Sequence, residues 1–126
     1  MKKIMSVGQC NPDHSSIKTF LTNHFECEII RIDSTEQALN ELSQNKYDLV
    51  LVNRKLDIDY TDGTILIKAM KENPSLKYIP VMLISNYPEY QEEAVQLGAV
   101  YGFGKAELGK PIAIERLSEI FTIKTN

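Results

Sequence analysis

The 126-residue chain has no tryptophan, two cysteines and no apolar run longer than the four residues of Leu49–Val52 and Val81–Ile84. Runs that short cannot build a membrane-spanning helix. Cys10 and Cys27 are too few for a disulfide framework, and reduced thiols in the cytoplasm are expected. The 14 Lys and Arg are scattered, so neither a nucleic-acid surface nor an anionic-membrane surface is expected. The 17 Asp and Glu leave a net charge of −3, which favours solubility. A hydrophobic share of 43% excludes wholesale disorder, and six glycines exclude a collagen-like fibre. The start, Met1-Lys2-Lys3-Ile4-Met5-Ser6-Val7, resembles a secretion signal, but Gly8-Gln9-Cys10-Asn11-Pro12 ends the apolar stretch too early. Gln9 also stands where a lipoprotein cysteine needs a small residue. One domain over 1–126 is expected.

What the chain does contain is alternation. Lys3–Val7, Glu26–Ile32, Asp48–Val52, Ile79–Ile84 and Val100–Phe103 read as strands. Helical patterns separate them. Pro12-Asp13 opens the first, which carries Ile17, Phe20, Leu21 and His24; Ser34 caps the second, with Gln37 three residues on. Asp62-Gly63-Thr64 leads into the third, Pro88–Leu97 forms the fourth with Gly98 closing it, and Ile114, Leu117, Ile120 and Phe121 mark the fifth. Strict alternation implies a parallel sheet with right-handed crossovers and helices on both faces. In such sheets the functional crevice lies beyond the carboxyl ends of the strands. The informative segments are therefore 9–11, 53–62, 85–87 and 104–110.

Those segments carry a resemblance. Tyr47-Asp48-Leu49-Val50-Leu51-Val52-Asn53, then Asp62-Gly63, Ile79-Pro80-Val81-Met82-Leu83-Ile84-Ser85, Gly98-Ala99 and Lys105 together resemble the receiver domains of two-component response regulators. The resemblance implies a flavodoxin-like (CheY-like), doubly wound α/β fold with five parallel strands in the order 2-1-3-4-5. It also implies a site in which two carboxylates after the first strand bind Mg²⁺ and an Asp after the third takes a phosphoryl group. A Ser/Thr and a Lys after the fourth and fifth strands hold the phosphoryl oxygens.

This chain keeps the last two, as Ser85 and Lys105, and departs at the first three. The acceptor position is Asn53, whose amide is a poor nucleophile. The acidic pair falls on Gln9-Cys10 or on Gly8-Gln9, and neither holds a carboxylate, so Mg²⁺ binding is expected to be weak or absent and no other cofactor is implied. The loop to Asp62-Gly63 is two residues longer than usual. Ala106, not proline, follows Lys105, which leaves Lys110-Pro111 as a rival for the lysine. The aromatic three residues before the lysine is replaced by Gly102. The expectation is a degenerate pseudo-receiver pocket of Asn53, Gln9, Cys10, Ser85 and Lys105. Its module is not an enzyme and acts in a bacterial two-component or phosphorelay pathway by binding a protein partner. With no output domain after Asn126, the expectation is that it works alone or is an excised domain.

Other readings compete. Asn53 either satisfies loop hydrogen bonds or locks one conformation. Asp57 or Asp59 is an alternative acceptor for an active receiver. Asp57, Asp59 and Asp62 fail as a calcium loop because Gly63 is at the seventh position and Lys68 at the twelfth. A flavodoxin-like cofactor binder needs a phosphate-cradling loop that Gly8–Pro12 does not provide. Cys10 near Lys105 is a candidate thiol sensor, Cys27 a packing residue, and His14 and His24 lack metal-ligand spacing. Tyr87, Tyr90, Tyr101 and Phe103 form a candidate partner or homodimer surface on the face of the fourth helix, fifth strand and fifth helix.

Overall fold

The computed structural model describes residues 1–121. Strands β1 (Lys2–Val7), β2 (Cys27–Ile32), β3 (Leu49–Asn53), β4 (Val81–Ile84) and β5 (Val100–Phe103) alternate with helices α1 (Asn11–His24), α2 (Thr35–Gln44), α3 (Thr64–Glu72), α4 (Pro88–Gln96) and α5 (Pro111–Ser118). A single 3-10 turn, Lys105–Glu107, follows β5. All strand pairs are parallel, in the order β2-β1-β3-β4-β5. The fold is the doubly wound one expected.

Period-two alternation in apolar strands sorts side chains to the two faces. Met5, Val7, Val50, Val52, Val81 and Leu83 face one way and bury Leu42 of α2, Leu66, Ile67 and Met70 of α3, and Ala94 of α4. Ile4, Leu49, Leu51, Met82 and Ile84 face the other way, against Ile17, Phe20 and Leu21 of α1 and Ala113 and Leu117 of α5. Because both faces are covered, β3 and β4 have no polar alternation.

Local chemistry sets the boundaries. Ser34 Oγ accepts from Gln37 N at 3.1 Å and starts α2. Pro80 has no N–H, and β4 begins only at Val81, although the Pro80 carbonyl still accepts from Val50 N at 2.9 Å. Asp48 stops short of β3, its carboxylate accepting from Lys3 N at 2.8 Å. Gly98, with φ +108°, lies two residues beyond the end of α4. The expected fifth helix is too long: α5 ends at Ser118, and Ile120 and Phe121 follow in turns, Phe121 still buried against Phe25.

Alternation breaks at one place. Met82 pairs with Val100 but Ile84 pairs with Phe103, so β5 carries one extra residue against β4. The irregularity puts Gly102 beneath α4 and sends Phe103 into the core of α1 and α5.

Candidate functional site

The carboxyl ends of β3, β4 and β5 open onto one crevice, as the parallel topology leads one to expect. A cavity of about 230 Å³ lies there, lined by Asn53, Arg54, Lys55, Ile84, Ser85, Asn86, Tyr87 and Lys105. Three of the five residues expected in the pocket, Asn53, Ser85 and Lys105, meet in that wall. Lys110 is exposed at the start of α5, so Lys105 is the pocket lysine.

Asn53, half-buried at the end of β3, is tied back to the backbone. Its Nδ2 donates to Lys55 O at 2.8 Å and, more weakly, to Gly8 O at 3.4 Å, while its Oδ1 accepts from Arg54 N at 3.1 Å. The amide therefore joins the β1–α1 loop to the β3–α3 loop, and it needs both a donor and an acceptor to do so. Gly63 completes the corner. A Cβ there would sit 2.1 Å from the Asn53 carbonyl oxygen, and its N–H donates to Arg54 O at 2.8 Å. The Asp62-Gly63 pair thus serves the geometry of Asn53, with Asp62 accepting from Thr64 N at 3.0 Å and Thr64 Oγ1 at 2.8 Å to open α3.

Ser85 is nearly buried. Its Oγ accepts from Tyr87 N at 3.2 Å and its N–H donates to Phe103 O at 3.1 Å, joining β4 to β5. Lys105 does not turn to the acceptor position. Its Nζ pairs with Asp13 Oδ2 at 2.7 Å, and the same oxygen accepts from Cys10 Sγ at 3.1 Å. The Lys105 hydrogen bond holds the Asp13 carboxyl below its ordinary value against the opposing effect of burial, with the Cys10 bond adding to it. The thiol is thus hydrogen-bonded to a carboxylate that already takes the ammonium.

Asp13 is the residue that sequence reasoning missed. It served there only, with Pro12, to open the first helix, and nothing in its spacing announces the reach to Lys105. Its carboxylate corrects the picture of a crevice free of acids near its lysine. Gln9 is 1% exposed, and both polar atoms of its side chain lack a hydrogen-bond partner among the described residues. A divalent cation of the Mg²⁺ type asks for several oxygen ligands, usually charged. The donor set here is an amide at Gln9, a thiol at Cys10, an amide at Asn53 and one carboxylate already neutralised by Lys105, which does not fit. Among the described residues no group of three or more His, Cys, Asp and Glu is placed to hold a metal.

Asp57 and Asp59 are exposed and do not line the cavity. Asp59 accepts from the Thr61 hydroxyl at 2.7 Å and from Thr61 N at 3.0 Å, and these bonds, the hydroxyl first, hold its carboxyl below the ordinary value. Of the four aromatics proposed as a partner face, Phe103 is fully buried and is a core residue. The other three differ in access. Tyr87 is 58% exposed; Tyr90 is half-buried under the Arg54 guanidinium, 3.7 Å from its ring centroid; and Tyr101 is half-buried under Arg116 at 4.4 Å.

A second feature went unseen in the sequence. Gln91, 2% exposed, reaches from α4 to the sheet; its Nε2 donates to Leu83 O at 2.9 Å and Ser85 O at 3.1 Å, and its Oε1 accepts from Gly102 N at 2.8 Å. It fills the ladder gap left by the irregular β4–β5 pairing. A Cβ at Gly102 would lie 2.3 Å from Leu83 O and 3.2 Å from Gln91 Oε1. The Leu83 carbonyl alone therefore bars a side chain at Gly102, whatever residue stands at 91.

Comparison with known proteins agrees with the architecture. Residues 12–122 match the response regulator receiver domain. The chain is 32% identical over 88 residues to a gliding motility regulatory protein of Myxococcus xanthus, an alignment covering 66% of this chain and 11% of that much longer protein. Among solved structures, the Mn(2+)-bound form of response regulator Rcp1 superposes with a TM-score of 0.76 at 20% identity, covering 100% of this chain and 99% of that one. The phosphorylated cyanobacterial phytochrome response regulator RcpA gives 0.73 at 23% identity over 98% and 99%. The fold, the Asn53–Ser85–Lys105 constellation and the match across most of the sequence lead to one assignment: the chain belongs to the response regulator receiver domain family of two-component signalling.

Proposed function

We propose that this chain is a pseudo-receiver of a bacterial two-component or phosphorelay pathway, which signals by binding a protein partner without being phosphorylated. The observation that supports this most directly is the bonding of Asn53. An amide held between Lys55 O and Arg54 N is neither nucleophilic nor free to rotate. The donors after β1 support the same reading, since an amide and a thiol suit Mg²⁺ poorly. The module is read as a non-enzymatic, cofactor-free cytoplasmic protein. The partner face is drawn on α4, β5 and α5, with Tyr87 and the ring edges of Tyr90 and Tyr101 as its contacts and a homodimer as one form of partnership.

The test is incubation with a small-molecule phosphoryl donor and Mg²⁺, followed by intact-mass measurement. The expected result is an unchanged mass. A stoichiometric phosphoryl adduct mapped to Asp57 or Asp59 would overturn the reading in favour of an active receiver with a displaced acceptor.

A further inference from the structure

We propose that the tip of the β3–α3 loop, residues 57–60, is a preformed docking knob for a protein surface that carries Lys or Arg around an apolar pocket. The proposal rests on the chain acting through a protein partner, and it places that contact away from the α4–β5–α5 face. Seven large apolar side chains are exposed among the described residues, and three of them, Ile58, Tyr60 and Ile65, fall within eight residues of sequence. Ile58 is 62% exposed and Tyr60 75%. A single exposed apolar residue needs no explanation, but a group of them marks a contact surface.

The loop is ordered from its base upward. Lys55 and Asp62 pair there as an antiparallel bridge, with their charged groups 3.7 Å apart. Leu56 N donates to Thr61 O at 2.9 Å and Tyr60 N to Leu56 O at 2.7 Å, which closes the turn. Leu56 is fully buried, and Asp57 N donates to Gly8 O at 2.9 Å, so the base is fixed to the β1–α1 loop. A segment already held in one shape loses little further freedom when a partner covers it. Within it, Tyr60 has a φ of +59°, the one left-handed backbone angle outside glycine among the described residues. That region disfavours a bulky side chain and tolerates Asn or Gly. The core gains nothing in exchange, because the Tyr60 side chain is mostly in solvent. Strain kept at an exposed aromatic suits a residue placed for contact, and Tyr is a favoured interface anchor.

Charge selects the occupant. Asp57 and Asp59 flank Ile58, and neither is ion-paired among the described residues. No Lys or Arg lies between Lys55 and Lys68, and Lys55 is already paired with Asp62. A second copy docked through this loop across a two-fold axis would set the carboxylates against their own equivalents. An anionic membrane would repel them. A basic rim around an apolar pocket complements both the side chains and the charges.

The test is selection of a displayed library of random peptides on the full chain, with counter-selection on Ile58→Ser/Tyr60→Asn. Enriched peptides are expected to carry Lys or Arg beside aliphatic or aromatic residues. Once synthesised, they should shift the amide peaks of residues 57–62 saturably and bind the double variant about tenfold or more weakly. Their affinity should fall in high salt and in Asp57→Asn. Both replaced side chains are exposed, and an amide spectrum unchanged elsewhere verifies that the variant folds. Tyr60→Asn alone should raise the urea midpoint, as strain is relieved, while peptide affinity falls. A lowered midpoint would make Tyr60 part of the fold and overturn its role as an anchor. Enrichment of acidic peptides, or none that distinguishes the two baits, would overturn the knob. Self-association abolished in the double variant would assign the loop to a second copy, and pelleting with phosphatidylglycerol vesicles would assign it to a membrane; either overturns a basic protein partner. Peptides lost with Tyr87→Ser but retained by the double variant would overturn this site and favour the α4–β5–α5 face instead. A phosphoryl adduct seen by intact mass would overturn phosphorylation independence and leave the knob standing.

Discussion

At the residue scale, the site is governed by two side chains whose roles follow from what they can donate and accept. Asn53 is one. Replacing it with Asp keeps the shape but sets a carboxylate oxygen against the Lys55 carbonyl, with Gly8 O behind it. The lost donor leaves the loop junction unsatisfied, at a cost of about 1–3 kcal/mol. Asn53→Asp is therefore expected to lower the urea midpoint at pH 7 and still to show no mass gain with a phosphoryl donor, because the residues after β1 remain Gln9 and Cys10. An equally stable, phosphorylatable variant would contradict this account. Asp13 is the other. Its carboxyl is held below the ordinary value, chiefly by Lys105, so the charged form is favoured in the folded state. A lowered folded-state value contributes stability above the unfolded value and loses it as pH falls through the folded one. Both side chains are about one-third exposed, so solvent screening limits the contribution to on the order of 1 kcal/mol or less. Asp13→Asn should thus be less stable than the parent at pH 7, and the gap should close in acid below the usual carboxylate range. Chemical denaturation at a series of pH values checks it; a gap constant with pH would remove Lys105 as the cause. Neither role was fully legible in the sequence. The position of Asn53 was visible because it ends an apolar strand, but its bonding partners lie 45 residues back and two ahead. Asp13 looked like a helix-terminal acid because sequence spacing cannot report a contact across the sheet.

At the element scale, the strands and helices were legible because both physical signals were strong. Apolar runs at β3 and β4 leave no alternative to a doubly covered sheet, and Ser34, Gly98 and the three first-turn prolines mark helix ends. The misjudged end of α5 has a simple origin. Ile120 and Phe121 continue the apolar spacing, yet turns also bury side chains, and periodicity alone cannot tell a last helical turn from a packed turn. Phe103 was grouped with the surface aromatics although it lies on the face opposite Gly102, where α1 and α5 cover it, and residue type alone does not tell a core aromatic from an exposed one. The irregular β4–β5 pairing gives Gln91 its task. It satisfies two carbonyls and one N–H that regular pairing would have satisfied, so α4 is joined to β4 and β5 by buried hydrogen bonds. Gln91→Leu matches its volume but orphans three buried backbone groups, at about 1–3 kcal/mol for each one that finds no water. The expected outcome is a loss of roughly 2 kcal/mol or more, together with faster amide exchange at Gly102 and across α4 but not α1. Uniform acceleration over the whole chain would mean that Gln91 supports only global stability.

At the scale of the whole molecule, the question is whether a charge placed in the crevice is felt elsewhere. Coupling needs an element with two arrangements that the site biases. The pocket's neighbours offer little freedom of that kind. Ser85 is joined to Phe103 through the backbone, Gly102 has no side chain to move, and the space above it is held by the Gln91 amide. Arg116 further fixes β5 from the opposite face, stacking on Tyr101 while donating to Gly102 O. A ligand that interacts equally with the only arrangement available shifts no equilibrium, however well it binds. Adding Mg²⁺ and beryllofluoride, a phosphoryl mimic, is therefore expected to leave the amide peaks of Gln91, Gly102 and Tyr101 in place, and sedimentation should give the same mass distribution before and after. Shifts confined to Arg54, Ser85, Asn86 and Lys105 are compatible with this picture, since they report an anion seated in the crevice and nothing beyond it. Saturable movement of the Gln91 and Gly102 peaks, or a new oligomer, would mean that α4 has a second position within reach of the pocket's charge. The molecule would then be a switch whose partner face answers to the ligand, and the substitution to make first would be Gln91→Leu, to ask whether loosening that joint enlarges the response.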